Sequence, residues 1–322
     1  MIINRSFKEF KLQHRSKKNQ IIYSSKKVQS DKEVLNLIDN FLIEKNSFIF
    51  ESVEKGKIKG RYTIFGKNPD KIWEFNNNNS FLIKNNKKVK LKEKPQILIE
   101  NIIEDFKFKI PSGLPSIASL ISGYFSYDTI RYIENIPNKC KDDLKVPDVR
   151  LLRPRILVIH DNLKKKIFYI VNIFKDEKIS NYPKKYLGIK SDLSKLFTQS
   201  LKAKDKTTNE KKLAKINVKS NTSKNKFLSM VNKAKKYIKI GDIFQVVLSQ
   251  RFETKLTKKP LDIYKKLRIT NPSPFMFFFN FNDFQIIGAS PEILVRLRDN
   301  KITVRPIAVS YTHLTLPTSS RV

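Results

Sequence analysis

One cysteine, eight glycines and three histidines in 322 residues leave several chemistries without material. Cys140 cannot form an intramolecular disulfide, so no cross-linked framework holds the fold, and a reducing cytoplasm is the expected setting. No apolar run approaches the roughly 20 residues a membrane helix needs, because Lys, Arg, Glu or Asn interrupts each hydrophobic segment. The first 20 residues are basic but have no apolar stretch of the kind a secretory signal carries. Phosphate-binding glycine loops, Gly-x-Gly-x-x-Gly, Cys-x-x-Cys and His-Glu-x-x-His are all missing. His14, His160 and His313 lie far apart in sequence and read as ordinary surface or strand residues.

Acidic residues are also scarce, 30 against 65 Lys and Arg, which gives a net charge of +35. Clustered basic side chains neutralise nucleic-acid phosphates. Here they are spread along the whole chain, and 27 Asn and 23 Phe stand against 8 Gly and 6 Ala. Lys, Asn, Ile and Phe have A/T-rich codons, so a biased genome fills solvated faces with Lys without any polyanionic partner. Neither nucleic acid nor a membrane is expected as a partner.

Residues 1–30 mix Lys, Ser and Gln with little periodicity and read as a variable extension, so the folded part is expected to begin near Asp31. Val34, Leu35, Ile38, Phe41 and Leu42 then form one helical stripe. Short β-like runs at 47–52, 60–65, 72–75 and 81–84 follow, separated by Gly, Asn and Pro. Residues 95–106 read as a helix with Pro at its first turn, and 119–127, 155–160 and 167–174 as strands. The stretch 179–222 is rich in Lys, Ser, Asn and Thr and is expected to be a linker, with a patchy helix near 193–201. Beyond it, Ser223 is placed to cap an amphipathic helix bearing Phe227, Val231, Ala234 and Ile238, with Gly241 where a helix stops. Residues 243–248 read as a buried strand, 260–268 as a short helix, 275–281 and 284–288 as a strand pair, and 293–305 as a last hairpin. Antiparallel or mixed sheets with covering helices make the expected class α+β rather than a doubly wound parallel fold. The regions are then 1–30, 31–178, the linker 179–222, 223–308, and a tail at 309–322.

Two local sequences are unusual. Phe48-Ile49-Phe50-Glu51-Ser52-Val53-Glu54 sets a carboxylate and a hydroxyl at the end of an apolar strand, where burial would demand partners for both. Asn271-Pro272-Ser273-Pro274-Phe275-Met276 has two prolines that fix the backbone just before an aromatic-rich strand. Such a stiff segment suits either a core-filling strand entry or a pocket for a small amphipathic ligand. The residues alone leave both readings open.

Several blocks together resemble a known family. Gly241-Asp242-Ile243-Phe244-Gln245-Val246-Val247-Leu248-Ser249-Gln250-Arg251-Phe252, Leu267-Arg268, Asn271 to Met276, Gly288-Ala289-Ser290-Pro291-Glu292 and Arg305-Pro306-Ile307-Ala308 occur in the order found in anthranilate synthase component I. Phe50-Glu51-Ser52, Gly60-Arg61-Tyr62, Gly123-Tyr124, Tyr127-Asp128 and Arg131-Tyr132 are similar to that family's first region. The resemblance implies amination of chorismate at C2 with ammonia from a glutamine amidotransferase subunit, component II. Pyruvate is then eliminated, Mg²⁺ holds the substrate carboxylate, and a general acid assists departure of the C4 hydroxyl. It also implies a feedback site for L-tryptophan. There Ser52 would bond the amino-acid head, Glu51 would complement its ammonium, and Pro274, Phe275 and Met276 would supply backbone and apolar contacts.

The same likeness leaves room for aminodeoxychorismate synthase, which aminates C4 and keeps the pyruvyl ether. A different class is a regulatory fragment that only binds tryptophan. In the family, Pro-Ile-Ala is followed by Gly-Thr and a long catalytic region carrying the Mg²⁺ and catalytic residues. Here Ala308 is followed by residues 309–322 with no Lys, which look like a foreign tail. On that resemblance no catalytic or metal-binding residue is assigned, and the chain alone is expected to be inactive.

Overall fold

The computed structural model describes residues 2–30, 32–53, 60–203, 216–298 and 300–304. The chain divides into two compact units, one of Met1–Asp205 with Pro260–Pro291, the other of Lys206–Lys259 with Glu292–Val322.

The first unit opens with α1 (Phe7–Arg15), β1 (Gln20–Lys27), α2 (Lys32–Phe41), β2 (Ser47–Glu51) and the long β3 (Tyr62–Asn76). It continues through β4 (Asn79–Lys84), β5 (Lys87–Lys90), α3 (Pro95–Asp105), β6 (Ser122–Phe125), β7 (Val149–Asp161), β8 (Lys166–Ile173) and α4 (Tyr182–Leu201). The second unit carries β9 (Val218–Ser220), α5 (Lys224–Lys239) and β10 (Phe252–Thr254). The chain then returns to the first unit for α6 (Pro260–Thr270), β11 (Phe275–Asn280) and β12 (Gln285–Ser290), and ends its described part with the hairpin β13 (Arg296–Arg298) and β14 (Lys301–Thr303).

Ten strands of the first unit make one sheet in the order β1-β8-β7-β3-β2-β11-β12, with β4 beside β3, β5 beside β4 and β6 beside β7. Every pairing is antiparallel. Alternation along the strands sends Ile49, Phe65, Val158, Tyr169, Met276 and Phe278 to one face, where α1, α2, α4 and α6 cover them. Phe48, Leu157, Ile159, Phe168, Ile170 and Phe279 go to the other face, beneath the segment around Ala118. A third cluster of Trp73, Phe75, Val149 and Leu151 lies under Leu98 and Ile102 of α3. This is the α+β architecture expected from antiparallel strand runs with a few covering helices.

The structure departs from the sequence reading at four places. Residues 2–30 are not an extension, since β1 pairs with β8 over eight rungs and Phe10 of α1 is fully buried. Ser6 caps α1, its hydroxyl accepting from the Glu9 amide while the Glu9 carboxylate accepts from the Ser6 amide at 2.7 Å. The expected linker contains α4, whose Tyr186, Ile189, Leu193 and Leu196 are buried at helical spacing behind a lysine-rich outer face. Residues 243–248, expected as a buried strand, are neither paired nor buried, and Phe244 and Val247 are exposed, while the described strands to either side of them, β9 and β10, pair with each other. Residues 260–291 complete the sheet of the N-terminal half rather than joining 223–259, because β11 seats against β2. The proposed tail, 309–322, lies outside the described residues, as do Glu54 and Arg305 to Ala308.

In the second unit Ser223 caps α5 by accepting from the Lys226 amide, and β9 pairs with β10. No residue of α5 is buried among the described residues.

Candidate functional site

The two unusual sequences meet in one corner of the sheet. β2 ends at Glu51, and the β2–β11 ladder pairs Phe48 with Phe279, Ile49 with Phe278, Phe50 with Phe277 and Glu51 with Met276. One step further the Val53 amide donates to the Ser273 carbonyl at 2.9 Å. Ser52 therefore sits between those two rungs, opposite Pro274 and Phe275. The five residues singled out from sequence, Glu51, Ser52, Pro274, Phe275 and Met276, are brought together although more than 200 positions separate the two strands. The corner is tied on its far side too, where Ser273 Oγ donates to the Ser290 carbonyl.

The pleat divides these side chains between two faces. Glu51 shares its face with Ile49, Met276 and Phe278, under α6. Its carboxylate is buried, and Oε1 accepts hydrogen bonds from the Tyr264 hydroxyl at 2.5 Å and from Arg268 Nε at 2.8 Å. Tyr264 and Arg268 are four apart on α6, so one helix face presents a phenol and a guanidinium to one carboxylate. Tyr264 is fully buried, and burial together with the adjacent Glu51 charge pushes its phenol far up, so it remains a donor. The sequence reading missed Tyr264, and it noted Arg268 only within a motif. An aromatic hydroxyl and a cation at i, i+4 on a helix, with an unmatched acid at a strand end, is the signal that points to such a cluster.

Ser52 continues the other face, with Phe50 and Phe277. It packs on Gly60 so closely that a β-carbon there would fall 1.9 Å from Ser52 Cβ and 2.3 Å from its Oγ. Only glycine fits that contact, which explains the first residue of Gly60-Arg61-Tyr62. The Gly60 carbonyl accepts from Asn162 Nδ2 at 2.9 Å, and Arg61 grips the buried Asp161 with Nη2–Oδ2 at 3.1 Å. Burial works to raise the Asp161 carboxyl, but the Arg61 guanidinium and two backbone amides hold it below its ordinary value. Phe275 is half exposed beside Ser52, whereas Met276 on the opposite face is buried.

Other blocks quoted from the sequence serve the frame. A β-carbon on Gly123 would meet the Arg150 carbonyl at 1.9 Å, so β6 can approach β7 only through glycine. The Tyr132 hydroxyl donates to Asp148 at 2.7 Å, and Arg131 bonds both Asp128 at 2.7 Å and the Ile136 carbonyl at 2.9 Å. Gly288 lies under the Phe277 ring, with its hypothetical β-carbon 2.1 Å from Cζ. Among the described residues no group of three or more His, Cys, Asp and Glu is placed to hold a metal ion, and no helix is long and apolar enough to cross a membrane.

A family model described as chorismate binding enzyme matches residues 45–313, a span that takes in both strands of this corner and runs past Ala308. The chain belongs to that chorismate binding enzyme family. Its similar relatives include anthranilate synthase component 1 of Cereibacter sphaeroides, 34% identical over 316 residues, covering 94% of this chain and 62% of the relative. Anthranilate synthase component 1 of Acetivibrio thermocellus is 36% identical over 296 residues, covering 89% of this chain and 59% of the relative. The crystal structure of anthranilate synthase component I from Streptococcus pneumoniae TIGR4 superposes with a TM-score of 0.64 at 29% identity, over 78% of this chain and 55% of that one. The chain thus spans about three fifths of the length of these curated relatives.

Proposed function

We propose that this member of the chorismate binding family is an anthranilate synthase component I. It would convert chorismate and ammonia to anthranilate, pyruvate and water, with the ammonia delivered by a glutamine amidotransferase partner and L-tryptophan acting as feedback inhibitor. The similar proteins named anthranilate synthase component 1 support the reaction. The observation that carries the regulatory part is the junction of β2 and β11, where Ser52 faces Pro274 and Phe275 across the ladder and Glu51 pairs with Met276. A half-exposed ring beside a hydroxyl and a proline-fixed backbone suits an aromatic amino acid. Glu51, Ser52, Pro274, Phe275 and Met276 are the residues proposed to form the tryptophan corner.

Mg²⁺ belongs to the full reaction on this reading, but the described residues offer it no donor set, and no step is derived through it. No catalytic acid is assigned. The 322-residue chain by itself is proposed to lack turnover, since it spans about three fifths of its relatives.

Calorimetry of the chain with L-tryptophan, with L-lysine as control, tests the corner. Saturable heat with L-tryptophan alone is expected, and its loss in Ser52→Ala places the ligand. Absence of binding, or equal binding of L-lysine, overturns the tryptophan reading. Product analysis of the full-length enzyme with chorismate and ammonia separates anthranilate from aminodeoxychorismate, and the latter product would refute the proposed reaction.

A further inference from the structure

We propose that Glu51 is a positioning residue which, with Tyr264 and Arg268, locks α6 onto the end of β2 and thereby sets the backbone that presents Ser52 and Phe275. This rests on the tryptophan-corner reading above, but it assigns Glu51 a different task from complementing the ligand's ammonium.

Three observations lead there. The Glu51 side chain is only 2% exposed, and it lies on the helix-covered face, opposite Ser52 and Phe275. Its Oε1 is already held by a buried phenol and a guanidinium, so its negative charge is matched inside the protein. The helix supplying both donors is itself anchored elsewhere, through the ion pair of Lys265 with Asp39 of α2 and through Leu261 and Leu267 packed on the core. A fixed helix that grips Glu51 fixes the residue joined to it by one peptide bond, and Ser52 is that residue.

The chemical consequence concerns sign. If Glu51 attracted the ammonium, removing Arg268 would leave its charge less neutralised, and tryptophan would bind as well as before or more tightly. If Glu51 positions the strand, removing Arg268 releases it, and tryptophan binds more weakly although Arg268 faces away from the ligand.

Calorimetry on the whole chain with L-tryptophan therefore compares Arg268→Met, Tyr264→Phe and Glu51→Gln with the double variant Glu51→Gln/Arg268→Met. The expected result is a loss in each single variant of about two- to thirtyfold, the range for groups acting through a neighbour. The double variant should be no weaker than the worse single one, because both remove the same lock. Tight binding in Arg268→Met together with weak binding in Glu51→Gln overturns the proposal. Should the unaltered chain bind no tryptophan, the corner reading fails by itself, and the lock is read by hydrogen exchange at the Val53 amide. Exchange there should quicken about tenfold in Tyr264→Phe, which keeps the ring and its packing, as local opening becomes easier. Unchanged exchange at Val53 in Tyr264→Phe and Arg268→Met would overturn the lock.

Discussion

Replacing Gly66 with alanine tests how β2 is held in place. Gly66 lies opposite Phe48 in the β2–β3 ladder, and a β-carbon on it would fall 2.2 Å from Phe48 Cζ and 2.3 Å from Cε1. The ring has no exit, since Phe48 is fully buried between Phe50, at 5.2 Å between ring centroids, and Phe279, at 5.6 Å. Forcing a methyl into a packed core costs about 1–3 kcal/mol. Alanine also restricts the unfolded chain, which returns about 0.4–1 kcal/mol. The net expectation for Gly66→Ala is a loss of about 1–2 kcal/mol, read by urea unfolding through the fluorescence of Trp73, the single tryptophan, which sits in the same β3 strand. Gly288→Ala provides the control. Its overlap with Phe277 is equally severe, 2.1 Å to Cζ, but Phe277 is only half buried and can swing outward, so the variant should stay within about 1 kcal/mol of the parent. Equal effects in the two variants, or a stabilised Gly66→Ala, would refute the argument that burial of the opposing ring decides the cost.

Three further outcomes are expected. Arg150→Met should cost about 3 kcal/mol, because the buried Glu74 that Arg150 meets at 2.6 Å would keep only the half-exposed Lys88 as partner, whereas Asp283→Asn at the half-exposed end of the same cluster should cost about 1 kcal/mol; similar losses in urea unfolding would sink this ranking. Burial tends to raise the Asp176 carboxyl, but the hydrogen bond from Lys71 and the charge of Arg153 outweigh it and hold the group at about 2 against an ordinary 3.8. Its contribution is therefore complete above the ordinary value and is lost as pH falls through about 2, so an acid titration of Asp176→Asn should show a shallower decline across that window, and an unchanged titration would count against the pairing. Phe10→Ala should cost about 3–5 kcal/mol in the same unfolding assay, since its ring is fully buried against Tyr182 and Tyr186, and a silent substitution would restore the view of residues 1–30 as a mere extension.

What the sequence disclosed and what it hid divide along the range of the forces involved. The β11–β12 pair, the proline-started α3 and the Ser223-capped α5 rest on signals within a few residues, and each is found near its expected place. The same holds for α6, read over 260–268 and found as Pro260–Thr270. α1, β1 and most of α4 were hidden because their buried stripes are narrow and lysines dominate the rest. The first half of β7 reads poorly as a strand, since Arg150, Arg153 and Pro154 interrupt it. Those arginines are tolerated inside because Glu74, Asp70 and Asp176 meet them from distant parts of the chain. Residues 243–248 show the opposite error: an apolar run reads as a strand, but a strand also needs a neighbour with open hydrogen bonds, which local sequence cannot report.

The corner at Glu51 combines both situations. Proline spacing and an acid-plus-alcohol pair mark its residues from sequence, because only a constrained backbone and an unmatched polar group need explaining in an apolar strand. Which way each side chain points is a different question, and the pleat answers it only once the register is known. With Glu51 opposite Met276, the carboxylate falls under α6 and the serine beyond it turns to the outer face. A register shifted by one residue would exchange those places, and Tyr264 and Arg268 would then face Ser52 instead of the acid. The two hydrogen bonds to Glu51 therefore do more than neutralise a charge, because they penalise the slipped register with a buried, unpaired phenol and a partly exposed guanidinium deprived of its acid. Specification of the corner thus lies partly in a helix more than 200 residues downstream of the strand it aligns.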